Sequence, residues 1–214
     1  MTPTGIRELT VSTTMPGWVL LPEDLGEADR DRWVRAAAEE VRRMWGESRD
    51  AVTDETVREM LRASLDTRGD DPFVFDVWPV QGPFRTRVRL HVLRSGDMPD
   101  WREIGYDVSL YASSALGPGL RCVGVGEEET PAGPLDTVEW WAIFDNGQLV
   151  IAVHLEATPV LVFNQMLGGL EGFTDSLTAV MADGAAFAAL PPLEVLADPE
   201  ADWRHLTNGE SADD

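Results

Sequence analysis

Few side chains in this chain of 214 residues have the type and spacing that chemistry requires. Its three histidines, His91, His154 and His205, lie far apart and lack the spacings of zinc or haem ligands. His91 and His154 both fall in segments that read as strands, where they could approach each other across a sheet or simply be ordinary strand residues. There is no G-x-S-x-G and hence no nucleophile elbow. Gly124-Val125-Gly126 lacks the third glycine and the following helix of a dinucleotide site. Cys122, the only cysteine, sits in an apolar run and reads as a small core residue; one thiol cannot close an intramolecular disulfide. All 17 basic residues are arginine, so every mechanism that needs a lysine amine is excluded. Gly168-Gly169 lies inside a helical pattern, where it marks close packing or a kink rather than a phosphate site. No catalytic residue, cofactor or metal ligand is assigned.

Two constellations rise above this background. Arg85, Arg87 and Arg89 alternate with apolar residues and form a row of cations, either open to an anionic partner or paired with acids on neighbouring strands such as Asp107, Glu127, Glu128, Glu129, Glu139 and Glu156. Trp140-Trp141 is the second. Alternation sends one ring to each face of a strand, so one large aromatic stands on the less buried face unless a further layer covers it. Trp140, Trp141, Arg85, Arg87, Arg89, Glu127, Glu128 and Glu129 are therefore the expected partner-binding residues.

Charge sharpens this expectation. The formal net charge is −21, with 38 acidic residues. Residues 1–102 hold 19 acids and 15 arginines; residues 103–214 hold another 19 acids against only Arg121 and Arg204. So negative a field argues against nucleic acid and anionic membranes, both of which need a basic face. It favours a protein partner that is basic where it touches the second half of the chain. No signal-type leader or apolar run long enough to span a membrane stands out, which leads to the expectation of a cytoplasmic protein without membrane insertion.

These residues must be positioned by a sheet. Ile6–Val11 and Gly17–Leu21 read as short strands. Asp24-Leu-Gly-Glu27 has the spacing of a capping box before an amphipathic helix carrying Val34, Ala37, Ala38 and Val41. A second helix spans about 53–65, with Val57, Met60, Leu61 and Leu65 on one face. The period then becomes twofold. Strands are expected over Phe73–Val80, Phe84–Arg94, around Ile104–Tyr111 and over Leu120–Val125, followed by a hairpin of Asp136–Phe144 and Gln148–Ala157. Asn146-Gly147 would supply the positive backbone angles of its turn. Pro159 opens a helix expected to run from Val160 to about Met181. The fold class is α+β: an antiparallel sheet of six to seven strands flanked by helices, one domain over 1–198, and a loose acidic tail over 199–214.

The opening Pro16-Gly17-Trp18-Val19-Leu20-Leu21-Pro22 resembles the first strand of the PsbP-like family, which includes photosystem extrinsic proteins, the Ran-binding import factor Mog and actinobacterial lipoproteins. The strand Leu149–Val153, leading into Pro159 and the helix over Phe163–Leu177, is similar to that family's closing strand and helix. The resemblance implies an α/β/α sandwich and a non-catalytic adaptor or accessory component of a bacterial assembly. The absence of a lipobox cysteine means that the lipoproteins' envelope location does not carry over. A helix-grip, START-like fold has the same element order. It would imply a small-molecule binder or cyclase-like protein with a cavity beneath the Val160–Met181 helix, and with His154, Tyr106 or Glu156 inside it. The lysine-free, arginine-rich composition matches a GC-rich bacterial source.

Overall fold

A computed structural model of the chain describes residues 5–13, 17–45, 54–79, 84–131 and 133–192. The expected tail over 199–214, His205 and Arg204 lie outside the described residues. Among the described residues, nine strands and three helices follow one another as β1 (Ile6–Thr10), β2 (Trp18–Leu21), α1 (Glu27–Trp45), α2 (Asp54–Asp66), β3 (Phe73–Val77), β4 (Thr86–Arg94), β5 (Asp107–Ser113), β6 (Gly117–Thr130), β7 (Gly133–Asp145), β8 (Leu149–Pro159), α3 (Val160–Asp175) and β9 (Thr178–Met181). The class is α+β, as expected. Seven strands form an antiparallel sheet in the order β2-β3-β4-β8-β7-β6-β5, and β1 pairs with β9 in a separate two-stranded sheet.

Twofold alternation splits the main sheet into two apolar faces. One face carries Phe75, Val88, Leu90, Trp140, Phe144, Ile151, Val153 and Leu155, which pack under α3 through Met166, Leu170 and Phe173. The opposite face is divided. At the β2-β3 end, Val19 and Trp78 meet Val34, Ala38 and Val41 of α1 and Val57 and Leu61 of α2. At the far end, Cys122, Ile143, Val150 and Ala152 are covered by Trp101 from the segment between β4 and β5. Between these two coverings, the middle of that face carries the polar residues of β4, β7 and β8.

Three local expectations need correction. The capping box at Asp24 is not used: α1 starts at Glu27, with the Gly26 carbonyl accepting its first bond from the Arg30 N–H at 3.0 Å. The last helix ends at Asp175, where the Ser176 hydroxyl bonds the Phe173 carbonyl at 2.7 Å, and Thr178–Met181 becomes a strand because β1 offers it an edge from the other end of the chain. In the β7–β8 turn only Gly147 has positive φ, at 84°. Asn146 stays at negative φ and uses its side-chain oxygen to accept the N–H groups of Gln148 and Leu149 at 3.0 and 2.9 Å.

Candidate functional site

The arginine row lies on the divided face, where β4 passes under the end of α2. The last turn of α2 has no basic residue of its own, and helix C-terminal carbonyls need donors. Strand β4 supplies them. Arg87 donates to the Thr67 carbonyl at 2.8 Å and the Ser64 carbonyl at 3.3 Å, and Arg89 donates to the Arg68 carbonyl at 2.5 Å. On the sheet side, Arg85 and Arg87 reach fully buried Asp76 at 3.7 and 3.4 Å, while Arg89 pairs with Asp71 at 3.0 Å and Glu156 at 2.6 Å. Burial pushes the Asp76 carboxyl above its ordinary value, against the pull of Arg85 and Arg87. The row therefore pins a helix to the sheet and is not an open cationic surface; Arg87 is only 4% exposed. Glu156 is the one partner shared with the expected set. Asp71 and Asp76, which hold the rest, were not among the anticipated acids.

Next to this row is a polar chain that crosses three neighbouring strands. Asp71 contacts His91 Nδ1 at 2.7 Å, His91 Nε2 faces His154 Nδ1 at 3.5 Å, and His154 Nε2 lies 2.7 Å from Glu139. Glu139 also accepts from the Tyr106 hydroxyl at 2.6 Å and from the Trp141 indole at 3.1 Å. Register explains the assembly. Trp141 lies opposite His154, so the rings stack with centroids 3.8 Å apart and planes 7° apart. Arg89 lies opposite His154, which puts His91, two residues on, diagonal to it. A bulge sets Glu156 and Ala157 of β8 against Glu139 of β7; it keeps Glu156 on the arginine face and returns Thr158 to the α3 face, where it meets Thr86. Tyr106 reaches Glu139 by crossing Gly124, where a Cβ would stand 2.8 Å from its ring.

All four imidazole nitrogens have a polar neighbour within 3.5 Å: Asp71 and Glu139 at the two ends, and the facing ring between them. Three hydrogen bonds between Asp71 and Glu139 need three protons, and two neutral imidazoles bring two. With both rings neutral, one of the three contacts therefore has no proton between its atoms. Burial holds His154 below its ordinary value, with the charge of His91 acting in the same direction and Glu139 opposing. Its hydrogen bond from His154, and then that from Tyr106, hold the Glu139 carboxyl at about 2. Burial and the Glu139 charge push the Tyr106 phenol up to about 12, which keeps it a donor. Cys122 is buried and free, with its thiol pushed up to about 12 by burial, as suits an inert core residue. Among the described residues, no three His, Cys, Asp or Glu side chains are placed to hold a metal ion.

The tryptophan pair divides as alternation requires, but neither ring is a free surface anchor. Trp140 is fully buried against Tyr111 and the α3 face, and Trp141 is half-buried between His154 and Trp101, with its ring 4.9 Å from that of Trp101. His154, Tyr106 and Glu156 lie on the face opposite α3, so the cavity expected beneath that helix does not contain them. Phe75, Trp140, Phe144 and Phe173 occupy that space instead. A cleft of about 560 Å³ opens on the divided face, lined by Met98, Trp101, Val108, Leu120, Ile143 and Leu190 among others.

Glu127, Glu128 and Glu129 have a different environment. Strand β5 covers β6 only as far as Val123, whereas β7 follows it to Thr130, so the end of the β6–β7 ribbon projects beyond the sheet as an arm. Residues 125–129 are all exposed, and Val125 is 77% exposed. Glu127 lies directly opposite Asp136, placing like charges in a cross-strand pair. No family model and no curated protein matches this chain.

Proposed function

We propose that the protein is a non-catalytic adaptor or accessory component of a bacterial assembly, which meets a basic protein partner through the acidic β6–β7 arm. The carrying observation is the opposed Glu127–Asp136 pair on an exposed ribbon. Like charges directly opposite each other destabilise a strand pair. A cation brought between them removes that repulsion and speeds encounter. The internal pairing of the arginine row supports the same reading, because it engages Arg85, Arg87 and Arg89 with Asp71, Asp76 and Glu156 inside the molecule, while Glu127, Glu128 and Glu129 stay exposed. The element order, with β8 running directly into α3, is compatible with a PsbP-like protein. No helix among the described residues is long and apolar enough to cross a membrane; with the overall charge, this supports a cytoplasmic component that binds neither nucleic acid nor lipid.

The test is affinity capture at low and high salt with the wild-type chain and with a Glu127→Lys/Glu128→Lys/Glu129→Lys variant. A defined basic protein retained by wild type, and lost both in high salt and with the variant, is the expected result. Identical retention by both chains would contradict it. The 560 Å³ cleft at Trp101 favours one second reading, a small-molecule binder on the face opposite α3, since its volume suits a compact apolar ligand. Mass spectrometry of the denatured protein would then release a molecule that a Trp101→Ala variant no longer carries.

A further inference from the structure

The arm has a backbone edge that no described strand covers, as well as exposed carboxylates. Residues Gly124–Glu129 of β6 pair with β7 on one side, and no described strand pairs with them on the other. In an antiparallel strand, alternate residues turn both N–H and C=O to the same side. Two or three residues of this stretch therefore offer complete donor-acceptor pairs to whatever lies alongside. Such an edge is a template for strand addition, and charged side chains are one way of blocking unwanted pairing. Here the block is selective. A second copy of this edge would bring the same three glutamates and be repelled, whereas an extended segment of opposite charge would not.

From this we propose that the β6 edge over 124–129 binds an extended basic segment of a partner by strand addition, extending the acidic ribbon by one antiparallel strand. The inference rests on the basic-partner reading above and specifies its geometry. Alternation places Val125, Glu127 and Glu129 on one face of β6, with Asp136 beside Glu127 on the same face. An antiparallel segment meets Glu129, Glu127 and Val125 in that order. Its recognition pattern is accordingly basic-x-basic-x-apolar, with the two cations on the glutamates and the apolar residue covering Val125, which is 77% exposed despite its position within a strand. Main-chain bonds supply the affinity and the alternate side chains the selectivity.

The experiment measures binding of a short peptide containing Lys-Thr-Lys-Thr-Val to the full chain by fluorescence anisotropy. The comparison peptides are one N-methylated at the backbone positions that face the edge and one with scrambled order. The proposal expects the parent peptide to bind, N-methylation or scrambling to weaken it about tenfold or more, and Glu127→Lys/Glu129→Lys to abolish it. Amide hydrogen exchange in the wild-type complex gives a readout that needs no variant: outward-facing amides within 125–129 become protected. If methylated and scrambled peptides bind as well as the parent, strand addition is overturned while a charge-based basic partner survives. If no basic peptide shows salt-sensitive binding at the arm, both readings fail together.

Discussion

Arg85, just before β4, with Arg87 and Arg89 on it, and Glu127, Glu128 and Glu129 on β6 are two rows of like charge along one sheet, and the fold treats them in opposite ways. The arginines lie in the middle of the sheet beneath the end of α2, where carbonyls and carboxylates surround them on both sides. The glutamates lie beyond the reach of β5, on a ribbon whose nearest cross-strand acid, Asp136, repels them. What a charged row does is therefore set by its neighbours in the sheet and not by its own spacing. One row is paired inside the molecule, and the other is left exposed.

That contrast can be broken most forcefully at Arg87. Replacing it with alanine leaves Asp76 buried beside Arg85 alone and takes two donors from the C-terminus of α2. Removing one partner of a buried pair costs about 3–5 kcal/mol, whereas Glu128→Ala on the arm is expected within about 0.5 kcal/mol of wild type. Urea unfolding of the two variants measures both. Equal effects would erase the distinction between the rows.

Acid sharpens the comparison through the polar chain beside the arginines. His154 is held below its ordinary 6.5, so its neutral form contributes stability that is fully present above pH 6.5 and is lost as pH falls through its lowered value. Glu139 is held at about 2 against an ordinary 4.5, so its contribution is present above pH 4.5 and is lost between there and about 2. Stability measured across this range should fall in two stages. A Glu139→Gln variant should flatten the lower stage. An unchanged profile in that variant would deny Glu139 its role as acceptor for three donors.

The smallest effect is expected on the arm itself. Glu127→Thr removes the like-charge pair with Asp136 and should raise stability by about 0.2–1 kcal/mol at low salt, with the gain shrinking as salt is added. Thermal unfolding at two ionic strengths checks this. A loss of stability would mean that Glu127 has a partner.

Much of the architecture was legible in the sequence because it follows from local period. The apolar positions of α1 and α2 recur at helical spacing, and the alternation around Arg85–His91 put three arginines and a histidine on one face before any partner was known. The partners were not legible. Asp71, in the turn before β3, reads only as part of a helix stop, and Asp76 reads as an odd polar residue in an apolar strand. Their meeting with Arg87 and Arg89 depends on strand register, which the sequence does not print. The same holds for His91 and His154: each was visible as a strand residue, and only the order β4-β8-β7 makes them neighbours. Strand β9 was hidden for a related reason, since its partner β1 lies at the far end of the chain, while Val180 and Leu177 fit a helical pattern equally well.

The most direct measurement is a residue-resolved NMR titration of the full chain with the basic-x-basic-x-apolar peptide. Amide shifts confined to β6 and β7 over 124–138, with Arg85–Arg89 and their neighbours unmoved, are the result expected if the arm is open and the arginine row is paired. Shifts centred on β4, or none on the arm at peptide concentrations that bind elsewhere, would contradict it.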